Sequence, residues 1–266
     1  MLQQILKNMN RVTVAFSGGV DSSFLLKIAA DTLGKNVLAI TVVSATYPQT
    51  ESTTAKQFAQ SLGVPHRFIQ IDNDEMPDFK KNPADRCYHC KKELYKKIKE
   101  IATQEHIQYV LDASNMDDLR DYRPGRKALE ELDIKTPLID AQFTKQEIRA
   151  LSKTMHLPTW DKPALACLAS RFPYGTEITK ERLKMVENAE DVLWNLGVHQ
   201  VRVRYHETIA RIEIEPRDFN IIIAHAKEIV KQLNHLGFHY ITLDLEGFRS
   251  GRLNEGILHE KTVTGL

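Results

Sequence analysis

Buried-strand runs separated by stretches of helical period leave this chain few folds to choose from. Val12-Thr-Val-Ala-Phe16 and Val37-Leu-Ala-Ile-Thr-Val-Val43 are almost unbroken apolar or β-branched runs, the pattern of strands covered on both faces. Arg67-Phe-Ile-Gln-Ile71 and Gln108-Tyr-Val-Leu-Asp112 supply a third and a fourth. Between them the period changes to that of a helix. Asp21 to Leu33 carries Phe24, Leu25, Ile28 and Ala29 on one face and ends at Gly34; Glu51 to Leu62 and Lys91 to Ala102 follow the same rule. Thr144-Lys-Gln-Glu147 is a capping box that opens a helix to about His156. Strand alternating with helix predicts an α/β domain, a parallel sheet with helices on both faces.

Past Pro163 the order becomes helix, strand, strand, helix, strand: Glu177 to Leu196, Gln200–Tyr205, Ala210–Glu215, Phe219 to Leu236 and His239–Leu245. This predicts a smaller C-terminal α+β domain. The boundary is expected near residues 165 to 175, dividing the chain into 1–168 and 169–266, the second part serving substrate binding or oligomerisation.

At 266 residues and 42% hydrophobic content the chain can bury one large core or two smaller ones. A formal net charge of +1 gives no electrostatic footprint for nucleic acid. No run approaches the roughly 20 apolar residues of a membrane span, and the first residues lack the apolar core and cleavage site of a signal peptide. Three cysteines do not pair off into a secreted disulfide framework. The expectation is a soluble, cytoplasmic protein.

Ser17-Gly-Gly-Val-Asp-Ser-Ser23 stands directly after the first strand and runs into a helix. Gly18 and Gly19 let the backbone approach an anion where a Cβ would meet phosphate oxygens. The first N–H groups of the helix, Val20 among them, bind that anion with the helix dipole behind them. Ser17, Ser22 and Ser23 add hydroxyl donors, and Asp21 is placed to hold Mg²⁺. The Walker Gly-Lys-Ser/Thr ending is missing, and so is the dinucleotide Gly-x-Gly-x-x-Gly pattern. The alternative is an ordinary glycine turn capped by Asp21. Asp112-Ala-Ser-Asn-Met-Asp-Asp118 follows the fourth strand at the same sheet edge, where Asn115, Asp117 and Asp118 are candidates to orient Mg²⁺, ribose or phosphate.

The segment Ser17–Ser22 is similar to the signature of the PP-loop ATP pyrophosphatases, the adenine nucleotide alpha hydrolase-like fold. That resemblance implies cleavage of ATP between its α and β phosphates, with AMP left on the substrate and pyrophosphate in the loop.

Cys87-Tyr-His-Cys90 is a Cys-x-x-Cys pair, and Cys167 lies far downstream. Three readings stay open: unrelated packing residues, a zinc site completed by His89 or another residue, or three thiolates on a [4Fe–4S] cluster with one iron open.

Taken together, Ser17–Ser22, Arg86–Cys90, Asn115–Gly125, Cys167-Leu-Ala-Ser-Arg-Phe-Pro-Tyr-Gly175, Arg202-Val-Arg204 and Ala210–Glu213 resemble the LarE sulfur transferases over nearly the whole chain. The resemblance implies adenylation of a carboxylate of pyridinium-3,5-biscarboxylic acid mononucleotide and its conversion to a thiocarboxylate, in two rounds for the dithio product. Some members sacrifice the sulfur of one cysteine, matching Cys167. Others carry three cysteines, and Cys87, Cys90 and Cys167 place this chain with the cluster-dependent group. Cys167 is the principal catalytic candidate.

Arg202 and Arg204 alternate along one strand and share a face, suited to a substrate phosphate; the alternative is a solvated strand face. Arg171 and Ser170 would bring that phosphate near the sulfur. Glu190 and Glu213 match family positions beside this site, either pairing with arginine or acting on substrate. The expected partners are the mononucleotide, a sulfide-type sulfur source and further copies of the chain. The Lys91–Lys99 run reads as the solvated face of a helix. Rival readings are a tRNA thiolation enzyme, an ammonia-dependent adenylating ligase and a non-catalytic nucleotide-binding regulator.

Overall fold

The computed structural model describes residues 1–47, 49–72, 76–120, 124–163, 166–249 and 251–254. The chain divides into two compact units, Met1–Phe79 with Asp85–Leu165, and Lys80–Ala84 with Ala166–Leu266.

In the first unit the elements run α1 (Leu2–Met9), β1 (Val12–Ala15), α2 (Val20–Leu33), β2 (Val37–Val43), α3 (Gln49–Ser61), β3 (His66–Gln70), the single turn α4 (Pro77–Lys80), α5 (Arg86–Gln104), β4 (Tyr109–Leu111), α6 (Gly125–Glu131), α7 (Pro137–Asp140) and α8 (Lys145–Thr154). The sheet order is β3-β2-β1-β4, every pairing parallel, with Val12 opposite both Val37 and Tyr109. Alternation along the central strands divides the core. Val12, Val14, Val37 and Ala39 face a cluster built with Leu6, Phe24, Leu25 and Ile148, while Leu38, Ile40 and Val110 face Tyr95, Ile98 and Leu129. Each central strand is therefore apolar on both faces, which is why its sequence reads as a continuous run.

The second unit holds α9 (Lys180–Trp194), β5 (Val201–His206), β6 (Ile209–Ile214), α10 (Phe219–Ala224), α11 (Ala226–His235) and β7 (Tyr240–Leu243). Its sheet order is β5-β6-β7, with β5 antiparallel and β7 parallel to β6.

The capping box at Thr144 forms as expected, with both reciprocal bonds present. Two expectations are corrected, and one helix is added. The helix expected from Lys91 begins at Arg86, because its apolar stripe starts only at Leu94 and the first turn carries no core residue except Arg86. The single helix expected over 219–236 is two, broken at His225, whose backbone (φ −104°, ψ 15°) leaves the helical range. A helix at Leu2–Met9, with Leu2 and Leu6 buried, was not read from the sequence. Among the described residues no helix is long and apolar enough to cross a membrane.

Candidate active site

The Ser17–Ser23 loop leaves the carboxyl end of β1 and enters α2 at Gly19. Gly18 has φ +74°, a left-handed conformation that favours glycine. Gly19 is different: its φ is −79°, and a Cβ built there would meet only the Ser17 Oγ, at 3.5 Å, an ordinary contact. Nothing in the protein itself demands glycine at 19. The space beside it is open, and among the described residues no side chain caps the start of α2. Ser17 Oγ lies 3.0 Å from Ser22 Oγ, and the Ser22 hydroxyl also reaches the Gly19 carbonyl at 3.1 Å. Among the described residues the buried Ser23 hydroxyl has no hydrogen-bond partner. A polyanion supplies acceptors for such donors.

The loop opens on a cleft of roughly 280 Å³ that Phe16, Thr41, Tyr47, Leu94 and Tyr95 help to line. The Thr41 hydroxyl donates to the Phe16 carbonyl at 2.6 Å, so its oxygen accepts from His66 Nε2 at 2.8 Å. Burial, helped by Lys56, lowers the His66 pKa to about 4, so the ring is neutral and holds this tautomer.

Asn115, buried behind the loop, donates from Nδ2 to Asp21 Oδ1 at 3.2 Å. Asp118 lines the cleft, and its carboxylate accepts from the Asn115 backbone N–H at 3.0 Å. Asp117 is placed elsewhere: its Oδ2 accepts from the Lys145 backbone N–H at 2.6 Å, fixing the start of α8. The aspartate group thus divides, with Asp118 at the cleft, Asn115 behind the loop on Asp21 and Asp117 bracing a helix. Residues 121–123 of the motif lie outside the described residues.

Sequence reading missed several groups here. Lys145 Nζ donates to Asp21 Oδ2 at 2.5 Å, and Lys162 Nζ to the Gly18 carbonyl at 3.1 Å. Asp112, at the end of β4, accepts from Lys91 Nζ at 3.1 Å, from the Ser114 N–H at 2.7 Å and from the Tyr95 hydroxyl. Burial raises the Asp112 carboxyl, but Lys91 and these hydrogen bonds outweigh it and hold the group below its usual value. Burial, then the Asp112 charge, pushes Tyr95 well above the usual phenol value. Asp112 opens the 112–118 segment and Lys91 the lysine run, but neither was read as part of the cleft; no motif marks Lys145 or Lys162, and apolar spacing around Tyr95 gave only its inward orientation.

Cys87 and Cys90 stand one turn apart at the start of α5, Cys87 exposed and Cys90 in the cleft wall. Two thiols at that spacing suit two ligand positions of a metal centre. Among the described residues no group of three or more His, Cys, Asp or Glu side chains is gathered to hold a metal ion, so the complete donor set of a cluster is not assembled.

In the second unit Cys167 heads a short turn, Leu168–Arg171. The Arg171 side chain, 2% exposed, organises this turn. Nε and Nη2 donate to the two Glu190 oxygens, each at 2.8 Å. Nη1 reaches the Ala166 carbonyl at 2.7 Å, the Cys167 carbonyl at 3.2 Å and Ser170 Oγ at 3.0 Å. Every edge of the guanidinium is engaged inside the protein. Arg204 pairs with Glu213 at 2.7 and 2.9 Å and donates to the Ser170 carbonyl at 2.8 Å. Both glutamates therefore pair with arginine; Glu213 also meets Arg211 at 3.0 Å, and Glu190 accepts the Val203 N–H at 2.9 Å. Arg202 lies over the Phe248 ring, 5.3 Å from its centre. Burial first, then the nearby Arg171 and Arg204 charges, lower its pKa to about 10, with Glu190 and Glu213 opposing. Arg211 also meets Asp244 at 3.6 Å, so Arg171, Arg202, Arg204 and Arg211 stand with the carboxylates of Glu190, Glu213 and Asp244 around this face. Ala164 and Leu165, just before the turn, lie outside the described residues.

The asparagine synthase family profile matches residues 3–94, the stretch that contains the loop, α2 and the paired cysteines. Three relatives extend across almost the whole chain. An uncharacterised protein of Synechocystis sp. is 44% identical over 255 residues, 95% of each chain. The pyridinium-3,5-bisthiocarboxylic acid mononucleotide synthase of Lactiplantibacillus plantarum is 40% identical over 97% of this chain and 94% of its own. An uncharacterised protein of Methanocaldococcus jannaschii is 33% identical over 94% of each. With an α/β sheet that carries the glycine loop at its edge and near-complete coverage at this identity, the chain belongs to the LarE family of PP-loop proteins.

Proposed function

We propose that this chain is an ATP-dependent sulfur transferase that adenylates a carboxylate of pyridinium-3,5-biscarboxylic acid mononucleotide and converts it to a thiocarboxylate. The observation that carries the reading is the loop whose Gly19 is kept clear of side chain for a ligand, in a chain so similar to a synthase named for the bisthiocarboxylic product. In the first step a substrate carboxylate oxygen bonds to the α-phosphorus, and the bond to the β-phosphate oxygen breaks. Pyrophosphate takes the electron pair and stays in the loop, against the α2 amides and the serine hydroxyls. Asp21, oriented by Asn115, is the carboxylate for Mg²⁺, which would draw charge from the phosphates. In the second step a sulfur nucleophile bonds to the activated carbonyl carbon and AMP leaves with the electron pair of the broken C–O bond.

Arg202 and Arg204, with Ser170, hold the substrate phosphate, while Arg171 and Glu190 position the turn that presents Cys167. Cys87, Cys90 and Cys167 are the residues that would hold a [4Fe–4S] cluster, which would supply a site for an inorganic sulfide sulfur. What supports this is three cysteines in a chain whose chemistry handles sulfur, two of them on one helical turn beside the nucleotide cleft. A cytoplasmic setting keeps such thiols reduced, and assembly into a homo-oligomer belongs to the same reading.

Incubation with ATP, Mg²⁺, sulfide and the pyridinium mononucleotide, followed by mass analysis of product and protein, tests it. The expected products are AMP, pyrophosphate and a thiocarboxylate. Cys167→Ala should retain pyrophosphate release and lose sulfur transfer; equal loss of both overturns the division of roles. Anaerobically reconstituted protein should bind iron and absorb in the visible. Conversion of Cys167 to dehydroalanine after one turnover would replace the cluster with a sacrificial donor.

A further inference from the structure

The turn that follows β7 reaches back over the arginine-bearing strand of the second unit, and its shape depends on one glycine. Gly247 has φ +70°, and a Cβ built there would lie 2.7 Å from the Ile214 carbonyl oxygen and 3.2 Å from Pro216. Both observations demand glycine, because the backbone and the proline ring at the end of β6 have no room to yield. The close approach lets the Phe248 N–H donate to the Ile214 carbonyl at 2.8 Å. The turn is tied down around that bond. The Gly247 N–H donates to the Asp244 carbonyl at 3.0 Å, and Arg252 meets Asp244 at 3.0 Å and Glu246 at 2.9 Å. The Phe248 ring is thereby fixed over the Arg202 guanidinium, 5.3 Å from Cζ to ring centre.

Arg202 sits among like charges. Burial, then the Arg171 and Arg204 guanidinium groups, work against its cation and lower its pKa to about 10, which still leaves it charged at neutral pH. Its Nη1 donates to the Val201 carbonyl at 2.7 Å and so anchors one corner. A carboxylate laid on the same group would cancel charge that an incoming anion needs. The face of a phenyl ring attracts the cation through its quadrupole and leaves that charge to act on a ligand.

We propose that Phe248, carried on the Gly247 turn, is a positioning residue that holds Arg202 ready for the phosphate of the substrate mononucleotide. This rests on the reading of Arg202 and Arg204 as the holders of that phosphate. A guanidinium that must first be gathered from other rotamers binds more weakly, in proportion to the time it spends out of place. The contribution of the ring therefore shows as affinity for the phosphate alone.

The test is calorimetric binding of the pyridinium mononucleotide and of its dephosphorylated nucleoside. The proteins are the unmodified chain, Phe248→Leu, Phe248→Tyr, Arg202→Gln and the Phe248→Leu, Arg202→Gln double variant, with urea unfolding as the folding control. Phe248→Leu keeps an apolar side chain and removes the π face. It should weaken the mononucleotide by about 2- to 30-fold, the range of one cation–π contact, and leave the nucleoside unchanged. Phe248→Tyr should restore most of the affinity. In the Arg202→Gln background Phe248→Leu should add no further loss, since the ring acts through that arginine. Should Phe248→Leu fail to fold, Phe248→Met gives the same comparison. Unchanged mononucleotide binding in Phe248→Leu, an equal loss for the nucleoside, or the same loss again in the Arg202→Gln background overturns the inference and leaves the functional reading standing. Equal binding of mononucleotide and nucleoside by the unmodified chain would instead refute the phosphate site itself, and this inference with it.

Discussion

Removing the Glu190 carboxylate exposes how the Cys167 turn is held. Arg171 and Glu190 are 2% and 6% exposed at their side chains and meet through two parallel bonds. Truncating one partner of such a buried pair leaves the other charge without compensation, a loss of about 3–5 kcal/mol. Glu190→Ala also strips the Val203 N–H of its acceptor, which adds about 1–3 kcal/mol if water does not enter. Glu190→Gln keeps an acceptor for Val203 and should lose less. The assay is urea unfolding followed by Trp194 fluorescence in a Trp160→Phe background, since Trp194 lies on the same helix as Glu190. The second readout is chemical: sulfur transfer should fall with the turn's order while pyrophosphate release in the other unit persists. A change below about 1 kcal/mol in Glu190→Ala, the range of an exposed pair, would show that the guanidinium is not sequestered and would refute the positioning role given to Arg171.

Gly19→Ala should fold with an unchanged thermal midpoint, because its Cβ meets only an ordinary contact. Its ATP affinity should nevertheless fall about 10- to 100-fold as donors to phosphate are obstructed; unchanged affinity would mean the loop is not the phosphate cradle. Stability should be full above pH 6.5 and decline as pH falls toward 4, since the unfolded His66 takes a proton that the folded ring refuses. His66→Gln should flatten that slope in urea titrations, and an unaltered slope would assign it to other groups.

The sheet, its order of elements and the glycine loop were legible because burial on both faces writes itself as apolar runs, and because the capping box is a local bond pattern. The start of α5 was not, since Cys87, Tyr88 and His89 carry no core periodicity. Lys145 entered the sequence reading only as a position inside the capping box: its partner lies 124 residues away in sequence, and only tertiary structure joins them. Arg171 was read as a ligand for substrate, yet its donors turn inward to Glu190 and the 166–170 carbonyls. Sequence supplies the residue type but not the direction of the guanidinium. The relation of residues 202 and 204 was legible from strand alternation, whereas the opposing Glu213 depends on the hairpin register.

Glu190 also has a bearing on how copies of this chain meet. Among the described residues β5 pairs on one side only, with β6, and the carboxylate of Glu190 accepts from the outward amide of Val203. A strand from another molecule would find a negative side chain where it needs a row of alternating backbone groups, so lateral growth is blocked there. Among the described residues β7 lies at the opposite margin, with the Tyr240 and Thr242 side chains exposed.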